Sequence, residues 1–382
     1  MYLKTVIVSA IVSFAICASA HPGEHEEHNA LAELGKREYK ANIRRGLEKC
    51  STKFEADGLY TRAAIRRAAA VEMHRKRKKA RRDTTSVLDK SHLYNGSVSQ
   101  YTSETVLFES NSTCVLNPEG ETGPFWVKGE LIRSDLRDGQ AGVEIILDGQ
   151  FVDVETCEPI VGLYWDIWNC NSTGVYSGVV ETGNGNSADT SNYNATFLRG
   201  LQPTDDDGVA QFQSIFPGHY AGRATHHHVI AHLNATILPN NTLTGGTVAH
   251  VGQLFWDQDL ITQVEATSPY NTNTIAITTN AEDRVFADET ASSTSDPVIE
   301  YVLLGDDLSD GIFGWVTIAV NISASYDPNY SFVYTSSGSI AESGGDESAG
   351  GGAAPSGATG APSGTGAPTG TPPSSTAVAT SA

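Results

Sequence analysis

Phe216-Pro-Gly-His-Tyr-Ala-Gly-Arg-Ala-Thr-His-His-His-Val-Ile-Ala-His232 is the stretch whose reading decides the fold and chemistry of this chain. Pro217-Gly218 signals a turn, and residues 225–233 read as a strand because they close on β-branched and apolar side chains. Side chains on a strand alternate faces, so His226 and His228 point one way and His227 the other. Two imidazoles on one face can grip a single metal ion, and Tyr220, on the loop just before, can reach the same point. A histidine run standing alone is commonly a solvated tract. Imidazole nitrogens joined by a phenolate oxygen, however, suit a hard, Lewis-acidic ion such as ferric iron and argue against a thiolate zinc site.

On either side, short apolar runs alternate with turn residues. Runs at 125–132, 143–147, 160–168, 209–215, 248–256, 298–304 and 313–322 are candidate strands. Gly, Pro, Asn and Asp cluster between them, as at Asp148-Gly149 and Asp205-Asp206-Asp207-Gly208. This spacing predicts an all-β sandwich rather than βαβ units, with a short helix at 281–290.

The histidine stretch resembles the metal-binding segment of the intradiol ring-cleavage dioxygenases, in particular the secreted fungal-type ones. Their pattern is Pro-Gly-x-Tyr followed by Arg-x-x-His-x-His, matched here by Pro217, Gly218, Tyr220, Arg223, His226 and His228. The family usually carries an apolar residue where this chain has His227. Upstream, Asp166-Ile-Trp168 leads into Gly174-Val175-Tyr176, which resembles the strand and turn presenting the family's first ligand tyrosine. Other matching pieces are Gly123-Pro124-Phe125, Gly129, Arg133, Phe197-Leu-Arg-Gly200, Asp207-Gly208, Phe212 and Gln253-Leu-Phe-Trp256. The resemblance spans about residues 115–290 and leaves both ends of the chain outside it.

What the resemblance implies is a β-sandwich of the intradiol type holding one Fe(III) per chain through Tyr176, Tyr220, His226 and His228. Two phenolates favour Fe(III) over Fe(II). The implied substrates are a catechol and O2, and ring opening between the two hydroxyl-bearing carbons gives a muconate-type diacid. By the same analogy Tyr220 leaves the metal to take a substrate proton, Arg223 stabilises charge building on the ring, and Gln253 holds Arg223 in place.

The two ends of the chain have a different character. Residues 1–20 carry Lys4, an apolar run and Ala18-Ser19-Ala20, the layout of a secretory signal peptide. No later apolar run is long enough to span a membrane. Eight Asn-x-Ser/Thr sequons (Asn95, Asn111, Asn171, Asn194, Asn234, Asn240, Asn321 and Asn329) agree with export and glycosylation. Occupancy at Asn234 requires the histidine strand to end at the surface. Residues 21–82 form a basic segment, helical in pattern over 29–82 and ending in Arg75-Lys-Arg-Lys-Lys-Ala-Arg-Arg82. Of the chain's 25 Lys and Arg, 18 lie in residues 1–82, against 9 of its 45 Asp and Glu, so the remainder carries a net charge of −29. Export argues against nucleic acid as the partner of the basic run, leaving two readings: a propeptide cut at Arg81-Arg82, or an attached helical arm bound to the acidic body or to a second subunit. The folded domain is placed at 83–335. Residues 336–382, almost entirely Gly, Ser, Ala, Thr and Pro, cannot bury enough apolar surface to fold and read as a disordered tail.

Once Cys17 is removed with the signal, Cys50, Cys114, Cys157 and Cys170 remain, allowing three pairings. A continuous strand between Cys157 and Cys170 disfavours their bridging and leaves Cys50 to reach the body. A second function class stands beside the enzyme: a secreted, glycosylated β-sandwich binding module with a vestigial metal site, distinguished by failure to consume O2 with any catechol.

Overall fold

The computed structural model describes residues 30–79, 113–114, 122–181, 183–185, 188–290, 296–328 and 330–341. The expected signal segment, the Arg81-Arg82 pair, most of the tail and the sequons at Asn95, Asn111 and Asn329 lie outside the described residues.

Two sheets form the expected sandwich. The first contains β1 (Thr113–Cys114), β3 (Glu144–Asp153), β6 (Val209–Ile215), β11 (Glu300–Leu303) and β12 (Ile312–Val320); β1 and β11 both pair with β12, which pairs with β3, and β3 pairs with β6. The second runs in the order β10 (Thr247–Phe255), β7 (His226–Leu233), β4 (Tyr164–Trp168), β5 (Arg199–Pro203) and is antiparallel throughout. The first is mixed, since β3 and β12 run parallel over nine residue pairs. The core lies between the sheets, where Ile145, Leu147 and Phe151 of β3 and Ile312, Val316 and Ile318 of β12 meet Trp165 and Ile167 of β4 and Val229 and Ala231 of β7. This is period-2 alternation, with one face of each strand turned to this core.

Several sequence expectations require correction. Asp148-Gly149, read as a turn, lies inside β3. A Cβ on Gly149 would sit 2.3 Å from the Trp165 ring, so the glycine makes room for a core tryptophan, while Asp148 on the opposite face binds the arm. The run at 160–168 forms a strand only from Tyr164, because Gly162, with φ +73°, turns the chain first. The run at 125–132 shrinks to β2 (Val127–Lys128). β5 carried no apolar alternation and was missed, as was the helix Gln258–Glu265. The short helix expected at 281–290 is present as Arg284–Thr290. The folded part also passes the boundary at 335, because β14 (Gly338–Ala341) pairs with β13 (Phe332–Thr335), and β13 pairs with β2.

The basic segment folds as two helices, α1 (Ala30–Ala56) and α2 (Leu59–Lys79), broken at Asp57-Gly58, where Gly58 has φ +68°. They cover the outer face of the first sheet. Ile43, Cys50 and Phe54 pack on Val152, Val154 and Ala319, and Ala64, Ala70 and Val71 pack on Ile146, Phe313 and Trp315. Between these patches Asp148, its side chain fully buried, accepts from Arg66 and Arg67. Burial alone would raise this carboxyl, but the two guanidiniums hold it below the usual carboxylate range. A Cys50–Cys157 disulfide ties α1 to the body, and Cys170 is a buried free thiol, so the disfavoured 157–170 pairing is absent. No helix among the described residues is long and apolar enough to cross a membrane.

Candidate metal centre

The site lies on the outer face of the second sheet. Alternation along β7 sends His227, Val229 and Ala231 into the core and His226, His228 and Ile230 outward. On the neighbouring strand Gln253 sits directly across from His228, so it shares that face. On the other side Trp168 sits opposite His228, and its ring lies flat on the imidazole, 4.7 Å between centroids and 2° between planes.

Two loops bring the tyrosines. Asn171 organises the first, its side-chain oxygen accepting from the amides of Thr173 and Val175, both at 3.0 Å. Tyr176 is then held by its backbone: Asn184 accepts from its amide, and Asn184 and Asn192 both donate to its carbonyl, each at 2.8 Å. The second loop, 216–220, crosses the first in backbone contact. Gly174 has φ +84°, and a Cβ there would lie 2.2 Å from the His219 carbonyl oxygen; a Cβ on Gly218 would lie 2.5 Å from the Asn171 carbonyl oxygen. Only glycine fits at these crossings, and they fix Tyr176 relative to Tyr220. His219 anchors the second loop through Glu265 at 2.8 Å and the Ile275 carbonyl at 2.9 Å.

The four expected donors converge. Tyr176 Oη lies 3.2 Å from His228 Nε2, Tyr220 Oη 3.4 Å from His226 Nε2, and the two Nε2 atoms are 3.0 Å apart. Donors bound at about 2.1 Å to a common ion at right angles lie about 3 Å apart. These separations fit a shared ion. His226 Nδ1 donates to the Ala224 carbonyl at 2.5 Å, leaving Nε2 as the lone-pair nitrogen that a metal needs. Burial drives both phenols above their ordinary range, so an adjacent cation is the means of holding them as phenolates. All four donor residues are at most 3% exposed. Among the described residues no three His, Cys, Asp or Glu side chains gather in metal-binding geometry.

Arg223 and Gln253 also meet as expected. Arg223 is fully buried, and its Nη2 donates to Gln253 Oε1. Sequence reasoning missed its other partner, Asp283, which accepts from Arg223 Nε at 2.8 Å and Nη2 at 3.4 Å. Burial alone would raise the Asp283 carboxyl, but the Arg223 guanidinium holds it below the usual carboxylate range. Asp283 falls inside the stretch expected as a helix and directly precedes the observed helix Arg284–Thr290, where a capping carboxylate belongs, but nothing local pointed from it to Arg223.

A second missed group lies behind Tyr176. The Arg199 guanidinium sits 5.7 Å from the Tyr176 ring centroid and is bound to Glu130 at 3.0 Å. His232, on the same strand face as His226 and His228, stays outside this cluster; its Nε2 lies 3.1 Å from Asp166. His227 points into the core. Its Nδ1 is 3.1 Å from Asn169 Oδ1, and burial lowers its pKa to about 3.

The Dioxygenase family model matches residues 122–241. An intradiol ring-cleavage dioxygenase from Tetranychus urticae is 31% identical, over 55% of this chain and 95% of that one, with a TM-score of 0.44. Catechol 1,2-dioxygenase from Pseudomonas arvilla C-1 is 18% identical over 52% of this chain and 60% of its own, with a TM-score of 0.33. Hydroxyquinol 1,2-dioxygenase from Pseudomonas putida DLL-E4 is 17% identical over 57% and 70%, with a TM-score of 0.34. A search of curated proteins gave no match. From the family match and the identity sustained across nearly the whole Tetranychus urticae protein, this chain belongs to the intradiol ring-cleavage dioxygenases.

Proposed function

We propose that this protein is a secreted dioxygenase that binds one Fe(III) through Tyr176, Tyr220, His226 and His228. In this reading it opens a catechol-type ring between its two hydroxyl-bearing carbons, with both atoms of O2 entering a muconate-type diacid. The observation that carries the reading is the convergence of two phenol oxygens and two imidazole nitrogens with separations of 3.0–3.4 Å on one buried face.

Bound there, ferric iron supplies Lewis acidity toward the paired hydroxyls of the substrate and electronic coupling to dioxygen. The chain's own groups do the rest. By the family analogy Tyr220 is the tyrosine that leaves the donor set, and its phenolate would accept a proton from a substrate hydroxyl as that hydroxyl approaches. Arg223 keeps a positive charge within reach of both phenols, where negative charge builds on the ring. Gln253 and Asp283 keep that guanidinium from swinging away. Phe125, whose centroid is 4.8 Å from that of Tyr176, and Trp168 wall the donors in aromatic surface and keep water from them.

Export is supported by the pattern of residues 1–20 and by a disulfide that suits an oxidising compartment. Glycosylation is proposed at Asn194, Asn234 and Asn240, which are exposed. Asn171 is excluded from that proposal, since its side chain builds the Tyr176 loop and its amide donates to Gln140 at 3.1 Å.

The test is metal analysis of the purified protein. About one iron per chain, with a broad visible tyrosinate-to-Fe(III) band, supports the reading. Colourless, zinc-loaded protein that stays inactive after iron reconstitution contradicts it.

A further inference from the structure

We infer that Asp283 is a positioning residue for ring cleavage, acting through Arg223 by fixing its aim and balancing its charge beside Tyr220. This inference rests on the dioxygenase reading above.

Arg223 precedes β7 by three residues and has four side-chain torsions, so its placement needs explicit restraint. Asp283 grips it along one edge, Oδ2 to Nε at 2.8 Å and Oδ1 to Nη2 at 3.4 Å. A two-point carboxylate contact fixes the plane of a guanidinium as well as its distance. The same two oxygens have further work. Oδ2 accepts from the Ala224 amide at 2.6 Å, and Oδ1 from the Phe286 amide at 2.9 Å. One carboxylate therefore ties together the Arg223 side chain, the backbone just after Arg223 and the first turn of the helix Arg284–Thr290. Both side chains of the pair are fully buried, so bulk water cannot compensate either charge.

The electrostatics run in the same direction. An uncompensated guanidinium in this interior would be costly to hold, whereas Asp283 lets it stay charged and buried. Gln253 contacts the same guanidinium but brings no charge. The division of labour is then clear: Gln253 orients, while Asp283 orients and neutralises.

Asp283→Asn separates these roles, because asparagine keeps an oxygen to accept from one of the two backbone amides, such as the Phe286 amide of the helix, and loses the charge and the two-point grip. We expect the variant to keep its iron and visible band, with kcat reduced about 100-fold and KM for a catechol little changed. Asp283→Glu should recover at least tenfold of that loss. Because Asp283 acts through Arg223, the double variant Arg223→Lys/Asp283→Asn should be no slower than Arg223→Lys alone. A readout independent of turnover is the Arg223 Nε–H proton in the metal-free protein, assigned by its loss in Arg223→Lys. It should exchange slowly with solvent in the parent and quickly in Asp283→Asn. Asp283→Ser, which keeps only a helix cap, guards against loss of fold: iron and activity lost in proportion in both variants would make the role merely structural and overturn the inference. It is also overturned if Asp283→Asn keeps kcat within threefold, if the two defects multiply in the double variant, or if Nε–H exchange is unaltered. A parent that binds no iron and consumes no oxygen sinks the dioxygenase reading instead, while the exchange measurement still decides whether Asp283 fixes Arg223.

Discussion

His227 and His228 are adjacent in the chain and serve opposite faces of one strand. His228 Nε2 lies 3.0 Å from His226 Nε2 on the outer face, while His227 turns into the core beside Trp256, with ring centroids 6.0 Å apart. This division gives three imidazoles in a row two unlike functions.

Substitutions at the three histidines should therefore part company. His226→Ala and His228→Ala each remove a donor and should abolish stoichiometric iron binding and ring cleavage. His227→Ile leaves Asn169 Oδ1 without its partner but removes an imidazole whose Nε2 has no hydrogen bond in the core. The effects oppose each other, so stability should stay within about 1 kcal/mol of the parent and iron should be retained. Iron loss in His227→Ile with retention in His226→Ala would show that the strand register is wrong.

Gly174 leaves no room for a single added methyl. Alanine there meets the His219 carbonyl at 2.2 Å and must also adopt a left-handed backbone. Gly174→Ala should cost about 1–3 kcal/mol and separate the loops that carry Tyr176 and Tyr220. The visible band per mole of protein should fall more than the fraction folded measured by circular dichroism. An unchanged band would show that the loop crossing does not set the donor geometry.

Acid stability should carry the mark of His250. It points between the sheets opposite Ala231, is fully buried, and neither ring nitrogen has a hydrogen-bond partner. Burial lowers its pKa from 6.5 to about 3. A histidine held neutral in the fold favours the unfolded chain once that chain can take up a proton. Its contribution is therefore intact above pH 6.5 and is lost progressively down to about pH 3, at about 1 kcal/mol per pH unit. His250→Phe should flatten the fall of urea stability over that window. An acid limb identical to the parent's would refute this origin.

The basic helices should behave as part of the domain rather than as a dispensable leader. Cys50→Ser opens a loop closed across a sequence separation of 107 residues and should lower stability by about 2–5 kcal/mol. Asp148→Leu strands two arginines and should cost about 3–5 kcal/mol. A protease cut at Arg81-Arg82 should leave the arm attached on non-reducing gels. Release of the arm without reductant would contradict the disulfide.

How much of this was legible in the sequence follows from how local each signal is. The four donors and Gln253 were readable because strand alternation and the quoted motifs place them within short segments. Asp283 was not, since nothing in its own neighbourhood points to an arginine 60 residues earlier. Asp148-Gly149 misled for the converse reason: the pair has turn chemistry, but Trp165 and the arm's arginines overrule it from other elements. β5 escaped because Arg199 and Gly200 are chosen for contacts with Glu130 and Leu136 rather than for strand propensity. The arm's helices were visible, but their occupancy of the first sheet's outer face depends on residues more than 70 positions away.

The central claim is best tested by turnover of iron-loaded protein under 18O2 with a panel of catechols and hydroxyquinol, and mass analysis of the product. The account predicts a ring-opened diacid that has gained both labelled oxygen atoms. Iron-loaded, folded protein that consumes no oxygen with any member of the panel would contradict it and favour a binding module.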